Sequence, residues 1–250
     1  MDILPLEKIK PYDEAVSELS RLVSRDISKP GRVSNIVSIL SLNVRSLKKH
    51  IFDVKANQLL LANDILCFQE TWLNASDDTN VLYEIEGFTG TFVSIGTGKG
   101  VAIYFSSEFS QTTSVAKPCY QIASVCSEEV FVINIYRSSI CSNANDKELI
   151  NDLLDILNKI DGQKTILVLG DLNFCEREES GHPLRQMLLS KNFASLLSPP
   201  APSHIEGRCL DQVYCRKGEG IQDCSAQVGT SSFSDHDAVN IKVKYDQMEI

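Results

Sequence analysis

The sequence predicts an α/β protein built on mixed β-sheets. From Asn35 onward, short β-compatible apolar runs are separated by turn residues. A few segments of helical period are set between them. Several of the apolar runs end in a polar side chain, the position where open α/β sheets gather ligand-binding groups. A chain of 250 residues can bury one large core, and 43% apolar with 23% charged residues is ordinary for a globular protein.

Residues 1–33 read as an N-terminal helical extension and linker. Tyr12, Ala15, Val16, Leu19, Leu22 and Val23 recur at helical spacing, and the linker Ser28-Lys-Pro-Gly31 follows. The helix either packs on the main domain or binds a partner. Residues 34–250 read as one domain. In it Ile36–Asn43 is a strand, and Ser46 caps a helix with the apolar positions Leu47, Ile51, Val54 and Leu59. Ile65–Phe68 is a second buried strand. Phe88–Ile95 and Val101–Phe105 form a hairpin around Gly96-Thr-Gly-Lys-Gly100, a loop without the spacing or the Gly-Lys-Ser/Thr ending of a P-loop. Ile122–Val125 and Val130–Tyr136 are two more strands. Asn145–Ile160 is the clearest helix, striped by Leu149, Leu153, Ile156, Leu157 and Ile160, with Asn145 or Asp146 as its cap. Strand Ile166–Leu169 follows, then a short helix around Leu184–Lys191 and the loop Ser198-Pro-Pro-Ala-Pro-Ser203. Leu210–Tyr214 and Ala238–Val243 are the last strands.

Bulk properties remove some functions. No apolar run approaches the ~20 residues of a membrane span, and Met1-Asp-Ile-Leu-Pro-Leu-Glu7 has no signal-peptide core. An intracellular protein without a visible targeting signal or membrane partner is expected. The eight cysteines make no CxxC pair and no zinc-finger spacing, so they read as reduced and structural. A net charge of −9 argues against a general nucleic-acid coat protein. It leaves room for an enzyme that collects acids around a metal and grips DNA through a small local patch.

The run Ile166–Leu169, bounded by Gly170, reads as a strand buried on both faces. Asp171 and Asn173 follow two residues apart and point to one side if the strand persists. A carboxylate and a carboxamide there suit a metal, a water or a phosphate; an Asx-rich turn is the bland alternative. Asn43, Glu70, Tyr136 and Asp211 stand at the ends of other strands, and Asp235 and His236 directly precede the last one. Each alone reads more readily as a turn or core residue, or as an ordinary solvated or hydrogen-bonded group. Together, Glu70, Asp171 and Asn173 supply the oxygens a hard divalent cation needs. A histidine beside an acid is the usual means of fixing an imidazole for proton or phosphate chemistry.

The ordered set Leu42-Asn-Val-Arg-Ser-Leu47, Gln69-Glu-Thr71, Asn134-Ile-Tyr136, Gly170-Asp-Leu-Asn173, Leu210-Asp211 and Ser234-Asp-His236 resembles the endonuclease/exonuclease/phosphatase superfamily. Within it, the likeness is greatest to the apurinic-like endonuclease domain of non-LTR retrotransposons and related mobile elements. Asn43 is followed by Val-Arg-Ser-Leu, where cellular repair enzymes usually carry an acid two residues after the Asn. Gln69-Glu-Thr71 continues as Trp72-Leu73. The stretch Pro202-Ser-His-Ile-Glu-Gly-Arg-Cys-Leu-Asp-Gln-Val213 resembles the retroelement loop T-H-x-x-G-x-x-L-D. Ser203 stands for the usual Thr, Ser138-Ser139 for a common proline, and Arg45 for the acid, which bears on any metal contact made there.

The resemblance implies a four-layer α/β sandwich of two mixed β-sheets flanked by helices. It implies Mg²⁺-dependent cleavage of DNA phosphodiesters, with Mn²⁺ as a substitute, leaving a 3′ hydroxyl and a 5′ phosphate. Glu70 would hold the metal with help from Asn43. Asp171 would activate the water, with Asn173 fixing the water or the phosphate. Tyr136 and His236 would donate to the phosphate, and Asp211 would orient His236. Asp235 would pair with His236 or reach a metal. Arg45, Lys99, Arg137, His204 and Arg208, with Lys48 and Lys49, are the cations near the motifs that could contact DNA, and Trp72 reads as packing. A 3′ hydroxyl at a nick would prime a reverse transcriptase or other mobile-element partner in cis or trans, which places the activity in the nucleus. The alternative is a phosphatase or phosphodiesterase of the same superfamily acting on phosphoinositides or nucleotides. A binding protein that kept the fold is a third reading, opposed by the intact Glu70, Asp171, Asn173 and His236.

Overall fold

Alternation along the strands sets the architecture. In β1 (Ile36–Asn43), Val37 and Ile39 enter one apolar cluster, and Leu40 and Leu42 enter another. In β8 (Thr165–Asp171), Leu167 and Leu169 join the first cluster, and Ile166 and Val168 join a third. Strands apolar on both faces need cover on both faces. The computed structural model, which describes residues 35–77, 81–175 and 181–246, supplies it with two sheets packed face to face and helices outside. The extension expected over 1–33 lies outside the described residues.

The remaining strands are β2 (Ile65–Gln69), β3 (Thr89–Val93), β4 (Val101–Phe105), β5 (Ser110–Ala116), β6 (Tyr120–Cys126), β7 (Val130–Arg137), β9 (Ala194–Ser195), β10 (Asp211–Arg216), β11 (Ile221–Gly229) and β12 (Ala238–Tyr245). One sheet has the order β11-β12-β1-β2-β4-β3 and the other β5-β6-β7-β8-β10-β9. Each is built around one parallel pair, β1 with β2 and β7 with β8, flanked by antiparallel neighbours. The inter-sheet core includes Val37, Ile39, Cys67 and Ile103 from one sheet and Val132, Leu167, Leu169 and Val213 from the other.

Helix α1 (Leu47–Ala56) covers the first sheet through Leu47, Ile51 and Val54. Its N-cap is Ser46, whose hydroxyl accepts from the Lys49 amide, as expected. The helix does not reach Leu59. Asn57 caps a separate short helix α2 (Gln58–Leu61), and Leu59 faces solvent. Helix α3 (Asn143–Leu157) packs Leu149, Leu153, Ile156 and Leu157 on the second sheet. Its N-cap is Ser142 rather than Asn145 or Asp146; Asn145 closes the capping box from the third helical position. Helix α4 (Pro183–Ser190) begins one residue before the expected segment because His182 caps it. All eight cysteines are free thiols.

Candidate active site

The alternation that fills the inter-sheet core continues to the strand ends. Residues 37, 39, 41 and 43 of β1 share one face, as do 167, 169 and 171 of β8, 132, 134 and 136 of β7, and 211, 213 and 215 of β10. Asn43, Tyr136, Asp171 and Asp211 therefore project between the sheets at one mouth of the sandwich, where the apolar filling gives way to polar groups. The two parallel pairs end together here because both central pairs run toward it.

Asp171 is the centre. In the sheet it lies between Tyr136 of β7 and Asp211 of β10. The preceding Gly170 has φ +129°, and a Cβ there would lie 2.0 Å from the Ile135 carbonyl oxygen, so only glycine lets β8 approach β7 this closely. Asp171 Oδ2 accepts from Asn43 Nδ2 at 2.9 Å and Asn173 Nδ2 at 3.1 Å, and its Oδ1 accepts from the Asn173 amide at 3.0 Å. Asn173 sits at φ +49°, a left-handed conformation asparagine tolerates, and its Nδ2 also donates to the Arg137 carbonyl at 2.9 Å. Burial, then the facing Asp211 carboxylate, pushes the Asp171 carboxyl up to about 7, against the opposing pull of His236 and of the Asn43 and Asn173 donors.

Glu70 stands on a strained turn: Glu70 and Trp72 have φ of +50° and +59°. The turn is pinned by the Ser46 amide donating to Glu70 O at 2.8 Å and the Trp72 amide donating to Lys99 O at 2.9 Å. Tyr136 Oη donates to Glu70 Oε1 at 3.1 Å and Trp72 Nε1 donates to Oε2 at 3.2 Å. Burial and the charges of Glu70 and Asp171 push the Tyr136 phenol up, so it remains a proton donor. Arg45 Nε lies 3.9 Å from Glu70 Oε2 while its Nη1 bonds Asp235. One guanidinium thus bridges two carboxylates.

His236 closes the mouth from the loop before β12, in the same sheet as β2 and across from Asp171 of β8. Its Nδ1 pairs with Asp211 Oδ2 at 2.7 Å, leaving Nε2 for a ligand. Ser234 Oγ donates to the Asn43 carbonyl at 2.6 Å and accepts from the His236 amide at 3.2 Å, which ties this loop to β1. Burial alone would lower the His236 pKa; the charge and hydrogen bond of Asp211, with Asp171 and Asp235, outweigh it and push the imidazole up to about 9. His204 packs edge-on against His236, ring centroids 4.8 Å apart, and its Nε2 is 3.6 Å from Asp235 Oδ2.

Among the described residues, His204, Asp235 and His236 form the cluster close enough to share a cation, with ligand atoms within 4.8 Å. His204 Nδ1 accepts from the Glu206 amide at 3.2 Å, which puts its proton on Nε2 and removes that nitrogen as a soft-metal ligand. The Glu70 and Asp235 carboxylates fit a hard cation better. They already hold a positive group between them, and Asp235 Oδ1 is buried without a partner.

The structure brings Asn43, Glu70, Tyr136, Asp171, Asn173, Asp211, Asp235 and His236 together, with Arg45 and His204 at the rim. Lys99 is half-buried on the hairpin loop. Lys48 pairs with Asp77 at 2.7 Å. Arg137, expected to face DNA, is instead 6% exposed and engaged with Asp146, because its position on β7 turns it to the helix side of the sheet. Arg208 lies beyond Asn173, lining a cavity of about 550 Å³ with Arg137, Asp146 and His182. The sequence reading missed Trp72 as a partner of Glu70, took Asp146 only as a candidate helix cap, and did not single out His182. The one signal for Trp72 was its place two residues after the acid.

The sequence profile of the Endonuclease/Exonuclease/phosphatase family matches residues 40–236. No curated protein sequence matches the chain. Among solved structures, an AP endonuclease from Archaeoglobus fulgidus superposes with a TM-score of 0.63 at 19% identity, covering 82% of this chain and 98% of that one. The 3′ phosphatase NExo from Neisseria, bound to a product DNA hairpin, gives 0.62 at 20% identity over 84% of this chain and 99% of that one. A truncated TDP2 from Caenorhabditis elegans gives 0.60 at 16% identity over 84% and 98%.

Proposed function

The chain belongs to the Endonuclease/Exonuclease/phosphatase family, and we propose that it is a divalent-metal-dependent endonuclease that nicks DNA to leave a 3′ hydroxyl and a 5′ phosphate. The observation that carries this is the convergence at one mouth of the buried Asp171 carboxylate, the Asp211-paired His236 imidazole, and the Glu70 and Asp235 carboxylates that share the Arg45 guanidinium. DNA as substrate draws support from the AP endonuclease and the DNA-bound NExo among the structural neighbours.

Glu70 and Asp235, with help from Asn43, would hold Mg²⁺ or Mn²⁺. When bound, that cation neutralises charge on the phosphate and the leaving oxygen. Asp171, poised near neutrality, takes a proton from the attacking water. Asn173 and Asn43 hold the carboxylate in place through their amides. His236, kept protonated by Asp211, donates from Nε2 to the phosphate as charge builds. Tyr136 is the second donor once its hydrogen bond to Glu70 is exchanged for the substrate.

Incubation with supercoiled plasmid and Mg²⁺ tests the reading. The wild type converts it to nicked circles, and His236→Ala and Asp171→Asn each lose at least about 10³ in rate. Absence of nicking with or without an abasic site sinks it. A phosphatase acting on phosphoinositides or nucleotides is the second reading. The −9 net charge favours it, and phosphate release from such a substrate without nicking would establish it. The Asn43-Val-Arg-Ser-Leu47 motif and the Ser203-His204 loop support a mobile-element role, in which the nick primes a reverse transcriptase in the nucleus.

A further inference from the structure

Behind the catalytic turn lies a buried ionic cluster that the proposed mechanism does not use. Arg137 and Asp146, 6% and 4% exposed, make a two-pronged pair: Nε to Oδ1 at 2.6 Å and Nη2 to Oδ2 at 3.0 Å. The third nitrogen, Nη1, donates to the carbonyls of Leu172 at 3.3 Å and Asn173 at 3.4 Å. His182 Nε2 stands 3.4 Å from Asp146 Oδ2. Its Nδ1 accepts from the Leu184 amide, which leaves the ring proton on Nε2, pointed at the carboxylate. The same ring is stacked on Phe174, centroids 4.0 Å apart and 4° from parallel.

Two helices therefore reach the turn Asp171–Phe174 through one cluster. From α3, Asp146 orients Arg137. From α4, His182 meets Asp146 and clamps Phe174. Arg137 grips the turn twice, with its guanidinium on two carbonyls and its own carbonyl under the Asn173 amide. A buried charge pair is a costly way to stabilise a fold. Its yield here is geometry, because Asn173 sits at φ +49° and supplies two of the donors that hold Asp171.

We propose that Asp146 and His182, acting through Arg137 and Phe174, are positioning residues that hold the Asp171–Asn173 turn in its reactive conformation. This rests on the phosphodiesterase reading above. Loss of the brace displaces the water-activating carboxylate without touching substrate, so kcat falls while KM for DNA holds.

The test uses the full chain and two variants. Removing one ion alone risks misfolding, so Arg137→Met is combined with Asp146→Leu, which leaves no buried charge unpaired. His182→Asn keeps a helix cap and removes both the Nε2 contact and the ring stack. In both, kcat for plasmid nicking drops by about 10²-fold, the cost of a misplaced catalytic group. KM stays within about twofold, the range of uniform binding, and the melting temperature is retained. Independently of activity, exchange of the Asn173 backbone amide, which donates to Asp171, accelerates while the β8 amides stay protected. Unchanged kcat, or unchanged Asn173 exchange, in a folded variant overturns the proposal. If the wild type cleaves nothing, the functional reading fails and the exchange result still decides whether the brace holds the turn.

Discussion

At the scale of single residues, the proposed proton acceptor and donor are separated by environment. Asp171 and His236 share the charge of Asp211, yet burial and like charge raise the acid to about 7 while three carboxylates raise the base to about 9. The proposed mechanism needs Asp171 ionised and His236 protonated. The nicking rate is therefore expected to climb with pH through about 7 and to fall through about 9, and Asp171→Glu moves the acid limb alone. A flat profile between pH 6 and 8 would refute this division. Stability carries the same signs. Both folded pKa values exceed their ordinary values of 3.8 and 6.5, so each contribution is full below its ordinary value and is lost as pH rises through about 7 and about 9. With chelator present, Asp171→Asn should remove the part of the decline in melting temperature that falls between pH 4 and 7. Arg45 is the other residue with a clear expected effect. It occupies, by charge, the place between Glu70 and Asp235 that a cation wants. Arg45→Ser should tighten Mn²⁺ binding to the DNA-free protein by about two- to fivefold, the scale of a half-exposed ion pair, measured by calorimetry.

At the scale of elements, Gly170 decides whether β8 ends in a usable carboxylate. With φ +129° and the Ile135 oxygen 2.0 Å from any Cβ, Gly170→Ala forces β8 from β7 and should cost at least about 3 kcal/mol, seen as a shifted denaturant midpoint. By contrast Ser142→Ala, at the exposed cap of α3, should cost about 1 kcal/mol and leave the site alone. The same contrast explains what could be read from the sequence. Strands β1, β2, β7 and β8 are apolar on both faces, so they stood out, and the polar residues that close them stood out with them. Strands β5 and β11 were missed because they are the outermost strands of their sheets. Ser110–Ala116 is exposed or half-exposed throughout and held by backbone pairing to β6, which leaves no apolar alternation to detect. Leu59 was placed on α1 because its spacing fits the stripe, whereas Asn57 restarts the helix and rotates it outward. Asp146 and His182 gave no signal of this role because both sit at helix starts, where a polar residue reads as a cap, and only the folded sheet brings Asp146 against Arg137 and His182 against Phe174.

At the scale of the whole molecule, the two sheets adhere by different forces at their two ends. Along most of the interface they meet through side chains such as Ile39, Ile103, Val132 and Leu167. At the mouth they meet through hydrogen bonds: Gln69 Nε2 donates to Asn134 Oδ1 at 2.6 Å, Asn134 Nδ2 to the Phe68 and Ala102 carbonyls, and Asn43 Nδ2 to Asp171. Such a buried network fixes the register of one sheet on the other, so catalytic groups from both arrive in one geometry. The rest of the surface works against the proposed substrate. With 33 acidic against 24 basic residues, the field of the chain repels a polyanion. Arg137 and Lys48, two of the expected contacts, are spent on internal or surface ion pairs. Of the other expected contacts, Arg45 and His204 stand at the rim beside Asp235, Lys99 is half-buried on the hairpin loop, and Arg208 lines the cavity beyond Asn173. If these alone meet the backbone, about three phosphates are neutralised, and the logarithm of DNA affinity should fall against the logarithm of salt with a slope of about −3. Anisotropy with a fluorescent duplex and the His236→Ala protein measures it. A slope steeper than about −6 would mean that cations other than these carry the grip. A slope near zero would remove nucleic acid as the ligand and leave a small phosphorylated molecule as the substrate this acidic mouth admits.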